Sequence, residues 1–252
     1  MDSVFEKFSV YDFFNLLFSG GVLVGSLHLI GFSPLSFLIN DLNIPENEIL
    51  SLSLILLVYY IIGFELQGLS LWIEQHKFKI QSTMTGTFLL DNTNIINNHE
   101  KLKAYQTKAK DFFKSRNIEI QNNEFTLDQC EYFFAYCSYF IQINGYSKKA
   151  EKMRGLKALS SLWMVCFAFL FLIGLGQIVY SLSQGTSFEK IVIPFFSTIL
   201  FLILSITCFY RTKANMKSWI RIVLGTYDVC SDLSKDSFNP RNSKEEILSN
   251  NS

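Results

Sequence analysis

Residues Leu159–Leu182 read LSSLWMVCFAFLFLIGLGQIVYSL, and no Asp, Glu, Lys or Arg interrupts them. A helix rises 1.5 Å per residue, so about 20 apolar residues cross a hydrocarbon core of ~30 Å. Inside lipid every backbone amide needs a partner within its own segment, and a helix supplies one. The stretch is therefore read as a membrane span. Working outward, three more stretches qualify: Phe13 to Phe32, Ile49 to Ile73, and Ile191 to Tyr210. A cleaved signal peptide is a poor reading of the first. Met1 to Asp12 holds one Lys against three acids, and no small-residue cleavage site closes the stretch.

Composition agrees. Of 252 residues, 49% are apolar and only 17% charged, against about a quarter charged in an ordinary soluble domain. The charges crowd between the apolar windows. Net charge is zero, so no global attraction to nucleic acid or to a membrane surface follows. The five cysteines, at 130, 137, 166, 208 and 230, form no CxxC pair. That pattern suits reduced, packed thiols better than a disulfide framework. His28, His76 and His99 lie far apart without metal-ligand spacing, and no metal or other cofactor is expected.

Basic residues set the expected orientation. One lies before the first span and none in the 31–48 loop. Thirteen lie in 74–157, one in the 183–190 loop and seven after Tyr210. The positive-inside rule then puts the middle segment, the tail and both termini in the cytoplasm. The expected fold is all-α: a multi-pass inner-membrane protein with four transmembrane helices and a cytoplasmic helical insert between spans two and three. Its parts are a first hairpin (1–76), the insert (77–147), a second hairpin with cytoplasmic helix extensions (148–233) and a flexible tail (234–252).

Within this plan Ser9 and Asp12 resemble a capping box opening the first helix, after a short interfacial turn carrying Val4, Phe5 and Phe8. Ser33-Pro34 ends or kinks that helix. Residues 77–98, rich in Asn and Thr, read as more loop than helix. An amphipathic helix follows over 99–116, with Leu102, Tyr105, Ala109, Phe112 and Phe113 on one side. A second helix starts at Thr126, where Gln129 completes a T-x-x-Q cap, and runs to about Asn144. Its aromatic load (Tyr132, Phe133, Phe134, Tyr136, Tyr139, Phe140) predicts burial on most sides, against the preceding helix and a neighbouring subunit. Helical pattern continues from Tyr146 into span three, and from span four to roughly Cys230.

Three constellations are candidates for function. Glu65, flanked by Gly63, Gln67 and Gly68, sits inside span two, roughly 13 Å of helix from Glu74. Ionisable groups at membrane depth usually face a bundle interior or a wet cavity. Glu65 and Gln67 are therefore gating or ion-path candidates, or members of a structural pair, or interfacial. Gly21 and Gly25, Gly63 and Gly68, and Gly174 and Gly176 are candidates for close helix packing. Arg154, Lys157, Arg211, Lys213, Lys217 and Arg221 form a basic collar. It reads as a lipid-headgroup anchor or as an anion site, such as one for a signalling nucleotide. Lys213, Lys217 and Arg221 recur every four residues and so share one helix face. No GxSxG, Walker, GxGxxG or HExxH motif is present, so no catalytic residue is proposed.

Tyr11-Asp12-Phe13-Phe14 running into Gly20-Gly21 is one distinctive stretch. Gly63-x3-Gln67-x2-Ser70-x3-Glu74 and the basic approach to span three around Arg154 are two others. In this layout the chain is similar to small four-span membrane proteins of bacterial anti-phage defence systems. The resemblance implies a homo-oligomeric effector or sensor that perturbs or monitors the inner membrane, with the lipid bilayer and a soluble defence partner as its neighbours. It identifies no ligand residue. The alternative is a non-conducting scaffold that recruits a soluble partner through its cytoplasmic helices. A transporter is disfavoured by the absence of inverted repeats, and direct nucleic-acid binding is not expected.

Overall fold

A computed structural model describes residues 10–30, 48–90, 95–120 and 124–237. Among these the regular structure is wholly helical. The helices are α1 (Val10–Leu29), α2 (Glu48–Ile73), α3 (Ile80–Thr87), α4 (His99–Lys114), α5 (Leu127–Ile143), α6 (Lys148–Ser183) and α7 (Phe188–Ser237), with a π-helical turn, Glu74–Phe78, directly after α2. The Ser9–Asp12 capping box, the 1–9 interfacial turn, the 31–48 loop with Ser33-Pro34, the His28 side chain and the tail beyond Ser237 lie outside the described residues.

Three helices, Ser51–Phe78, Lys148–Ser183 and Phe188–Ser231, are long and apolar enough to cross a membrane, and Phe13–Leu27 is a shorter apolar helix. Only 11%, 33% and 17% of their most apolar windows are buried. Apolar helices left bare on most sides are what a lipid solvent permits and water does not. The chain is thus a multi-pass, helix-rich membrane protein. Helix α6 has 36 residues and α7 has 50, so at 1.5 Å per residue both exceed the ~30 Å core and run beyond it, as expected.

The chain divides into two compact units. The first comprises residues to Phe78 and Leu156–Lys213; the second comprises Lys79–Gly155 and the chain from Ala214. The stalk-like ends of α6 and α7 therefore group with the insert rather than with the second hairpin.

In the first unit α1 packs on α2, and a core forms from Leu23, Leu27, Leu66, Leu162, Leu170 and Phe201 with Ile30 and Cys166. Oil gives such helices no hydrophobic reason to associate, so close backbone approach matters. Gly63 abuts the Leu16 backbone, where a Cβ would overlap the Leu16 carbonyl oxygen, and Gly20 abuts the Tyr59 backbone in the same way. Gly21 lies under the Tyr59 ring, 3.3 Å from where its Cβ would be, and Gly174 faces Thr198 with no room for one. Gly25, Gly68 and Gly176 have nothing within 4 Å of that position.

In the second unit a helix, α3 (Ile80–Thr87), lies within the stretch 77–98 read as more loop than helix. Helix α3 forms because its hydroxyls return to the backbone (Thr85 Oγ1 to Gln81 O, 2.9 Å; Thr87 Oγ1 to Thr83 O, 2.6 Å) while Ile80, Thr85 and Gly86 are buried. Gly86 sits against Leu127 as α3 packs on α5. Polar composition hid a helix whose partner surface is tertiary. Helix α5 opens on the expected reciprocal cap between Thr126 and Gln129. Its burial is narrower than expected. Phe133 and Phe134 are buried and Tyr136 and Phe140 half-buried, but Tyr132 and Tyr139 are exposed. Arg116 Nη1 donates to the Tyr132 hydroxyl at 3.4 Å. All five cysteines are free.

Gly63→Ala is expected to lose about 1–3 kcal/mol by overpacking against Leu16. Gly176→Ala, with open space around it, should change nothing. Thermal denaturation of the detergent-purified protein distinguishes the two.

Candidate functional site in the first unit

Helix α2 and the π turn that follows it turn one stripe inward: Gly63, Leu66, Ser70 and Glu74, all buried. Spacings of three and four residues place them on one face. Glycine at the first position brings in α1; the last two meet α6. Ser70 Oγ donates to Ser161 Oγ at 3.0 Å. One turn further on, Lys157 Nζ lies 2.5 Å from Glu74 Oε1, with side chains only 7% and 4% exposed. Positions rise along α2 as they fall along α6, so the two helices run antiparallel and the contacts form a short polar ladder.

The ladder ends in an unusual backbone. Glu74 is the first residue of the π-helical turn. Single π turns are rare and often occur at functional positions. His76 Nδ1 lies 3.0 Å from the Trp72 carbonyl oxygen, and the two rings stack at 5.1 Å. The next residue beyond the turn, Lys79, has φ +45°, a left-handed conformation that costs a side-chain-bearing residue on the order of 1–3 kcal/mol. Its carbonyl accepts from Thr83 N at 2.9 Å and from Ser82 Oγ at 3.2 Å.

The ion pair is close but incompletely satisfied. Both Glu74 carboxylate oxygens are buried, and neither accepts a hydrogen bond of good geometry. Coulombic attraction to Lys157 holds the carboxylate there without the additional donors that usually compensate a buried charge. Removing either partner from such a pair leaves an uncompensated buried charge and is strongly destabilising.

The other sequence candidates scatter. Glu65 is exposed on its helix and Gln67 half-buried. In the first unit Arg211 is exposed and Lys213 Nζ lies 4.3 Å from the Phe209 ring centroid. In the second unit Arg154 is exposed, Lys217 is half-buried, and Arg221 donates to Ile95 O and Asn97 Oδ1, each at 2.6 Å. Lys157, read as a collar member, is instead buried in the pair. Collar residues thus have separate jobs, and the Lys213–Lys217–Arg221 face does not share one environment. Among the described residues no group of three His, Cys, Asp or Glu gathers to hold a metal.

Ser70-x3-Glu74 stands in one of the distinctive stretches and Lys157 in the basic collar, but periodicity does not pair them. The signal for the pair is the mirror pattern S-x3-E, running from α2 into the π turn, and K-x3-S in α6. Each puts a hydroxyl and one charge on a single face, with opposite charges on the two helices. No protein-family model, no curated protein and no solved structure matches the chain. Fold and site together define a multi-pass helical membrane protein with a buried Glu74–Lys157 ion pair.

The second unit carries a separate constellation. Arg116 lies 4.0 Å from the Phe112 ring centroid and 4.9 Å from that of Tyr136. Tyr227 packs edge-on against Phe133 and Phe140. Lys108 pairs with Asp228. Burial, then the negative charge of Asp228 and the nearby Cys137, push the Tyr105 phenol up to about 12 from 10.0.

Lys157→Met should cost about 3–5 kcal/mol by leaving Glu74 charged and alone, whereas Glu74→Leu with Lys157→Met should restore most of it. Unfolding in detergent, followed by Trp fluorescence, reads both. The Tyr105 shift has a definite sign. The folded state holds the proton more tightly than the unfolded one, so folding stability is intact below pH 10.0 and falls as pH rises toward about 12. Absorbance at the tyrosinate band, taken alongside helix content, checks this.

Proposed function

We propose that the chain is a non-catalytic effector or sensor in the inner membrane of a bacterium, acting in anti-phage defence as a homo-oligomer. In this reading α1 is the fourth span and both termini are cytoplasmic. The second unit, also cytoplasmic, receives the signal from a soluble partner or a signalling nucleotide. The Glu74–Lys157 pair is the latch.

One observation supports the latch: a buried carboxylate paired at 2.5 Å with Lys157 at the junction of α- and π-helical backbone; the defence role is supported by the layout resemblance alone. Glu74 and Lys157 both lie within about one and a half helical turns of the residues where the chain passes between units. A displacement of the second unit therefore reaches the pair by covalent continuity. Separating the charges favours hydration, and hydrating the end of the α2–α6 seam loosens the spans. A π turn offers a ready second state, since returning to α-helical pitch rotates the residues that follow.

The scaffold reading rests on the exposed aromatic side of α5, where Tyr139 is 64% and Ile143 64% exposed. There the cytoplasmic helices recruit a soluble partner and the spans conduct nothing.

Expression in bacteria with a potential-sensitive dye separates the two. Glu74→Lys should depolarise the membrane or abolish triggered depolarisation, and Glu74→Lys with Lys157→Glu should restore wild-type behaviour. If the single reversal inserts normally and leaves potential and growth as in wild type, the latch is refuted. Partner capture lost on Tyr139→Ala, with potential unaffected throughout, would then support the scaffold.

A further inference from the structure

The π turn and α7 meet through one pair of rings in the first unit. Phe78 lies 5.3 Å from Phe209 between centroids; Phe78 is 45% exposed and Phe209 half-buried. One turn further along α7, Lys213 Nζ sits 4.3 Å from the Phe209 centroid, so the ring face holds the ammonium in place. Lys77, exposed, immediately precedes Phe78. This contact sets the ends of two apolar helices level with each other. Exposed Trp72 and Tyr210 stand on the same two ends, and rings of that kind collect where hydrocarbon gives way to headgroups.

On these segments no carboxylate answers the cations. Residues 75–90 and 190–227 contain no Asp or Glu, and Glu74, which opens the π turn, is buried against Lys157. Arg211 belongs elsewhere. Two residues from both Phe209 and Lys213, it lies about 200° round the helix from them.

We propose that Lys213, Lys77 and the Phe78–Phe209 pair bind one anionic glycerophospholipid. The phosphodiester takes the two ammonium groups, and the first acyl carbons lie on the rings. The fold itself argues for this occupant. The apolar helices of the unit are bare on most sides, so lipid is what lies against them, and a ring pair exposed at their ends touches the top of an acyl chain. Directly above it stand cations without acids, which complement an anionic headgroup. A zwitterionic lipid brings its own ammonium to the same place and loses that attraction. The site needs the membrane fold alone and neither the latch nor the defence role.

Native mass spectrometry of the full chain in detergent reads retained lipid directly. Offered phosphatidylglycerol and phosphatidylcholine at equal concentration, the wild type should keep mainly the former. Lys213→Gln should weaken phosphatidylglycerol retention about five-fold, what one basic residue contributes beside anionic lipid, and Lys213→Arg should keep most of it. Phe209→Leu leaves the charge but removes the ring that orders it, and should cost about two- to five-fold. Arg211→Gln removes the same charge from another face of α7 and should cost clearly less. Circular dichroism checks that each variant keeps its helix content. Phosphatidylglycerol held by Lys213→Gln as by wild type, or equal losses from Lys213→Gln and Arg211→Gln, would overturn the proposal. So would equal retention of the two lipids by the wild type, or displacement of the lipid by millimolar inorganic phosphate, which would make this a site for free anions. Those last two measurements stand even where a variant fails to fold.

Discussion

Helices in oil need a reason to touch, and in this chain the reason lies along the inward stripe of α2. Lipid is as apolar as leucine, so burying one more leucine yields little there. What remains is close backbone packing and hydrogen bonding. Gly63 admits the Leu16 backbone, Ser70 bonds Ser161 and Glu74 meets Lys157. Polarity rises along the stripe, ending in a charge pair where the span gives way to the π turn. Packing of α1 and α6 on α2, and hence the first unit, depends on that gradient.

The second unit is built by the opposite rule. Burial of large aromatic and aliphatic side chains supplies the drive there. Phe88, Phe113 and Phe133 are fully buried, with Met216, Ile220 and Leu224 contributed by the far end of α7. Trp219 and Tyr227, also from α7, meet Phe134 and Phe133 edge-on. A single helix of 50 residues thus contributes to both units. Its first part is bare and apolar, and its last part is amphipathic toward α5.

The long apolar runs, the lengths of α4 and α5 and the Thr126–Gln129 cap were legible because each is a local pattern read against one solvent. Helix α3 was not, since eight residues of middling polarity become helical only against Leu127 and its neighbours. The candidate site was half legible. Glu65 stands out as a charge in a span, but its exposure depends on which way α2 rotates against α1. Lys157 was legible as a collar residue and Glu74 as the end of a distinctive stretch, but their pairing was not, because each sits at a span end, where charges are common.

Sequence alone determined that this is a helical membrane protein with a sizeable polar insert, because hydrocarbon thickness and backbone hydrogen bonding leave few choices once the charge-free lengths are known. Tertiary structure alone decided which charge is buried and with whom. A residue 83 positions away cannot be assigned by periodicity, and the face that α2 turns inward is chosen by the fit of Gly63 against a carbonyl on another helix.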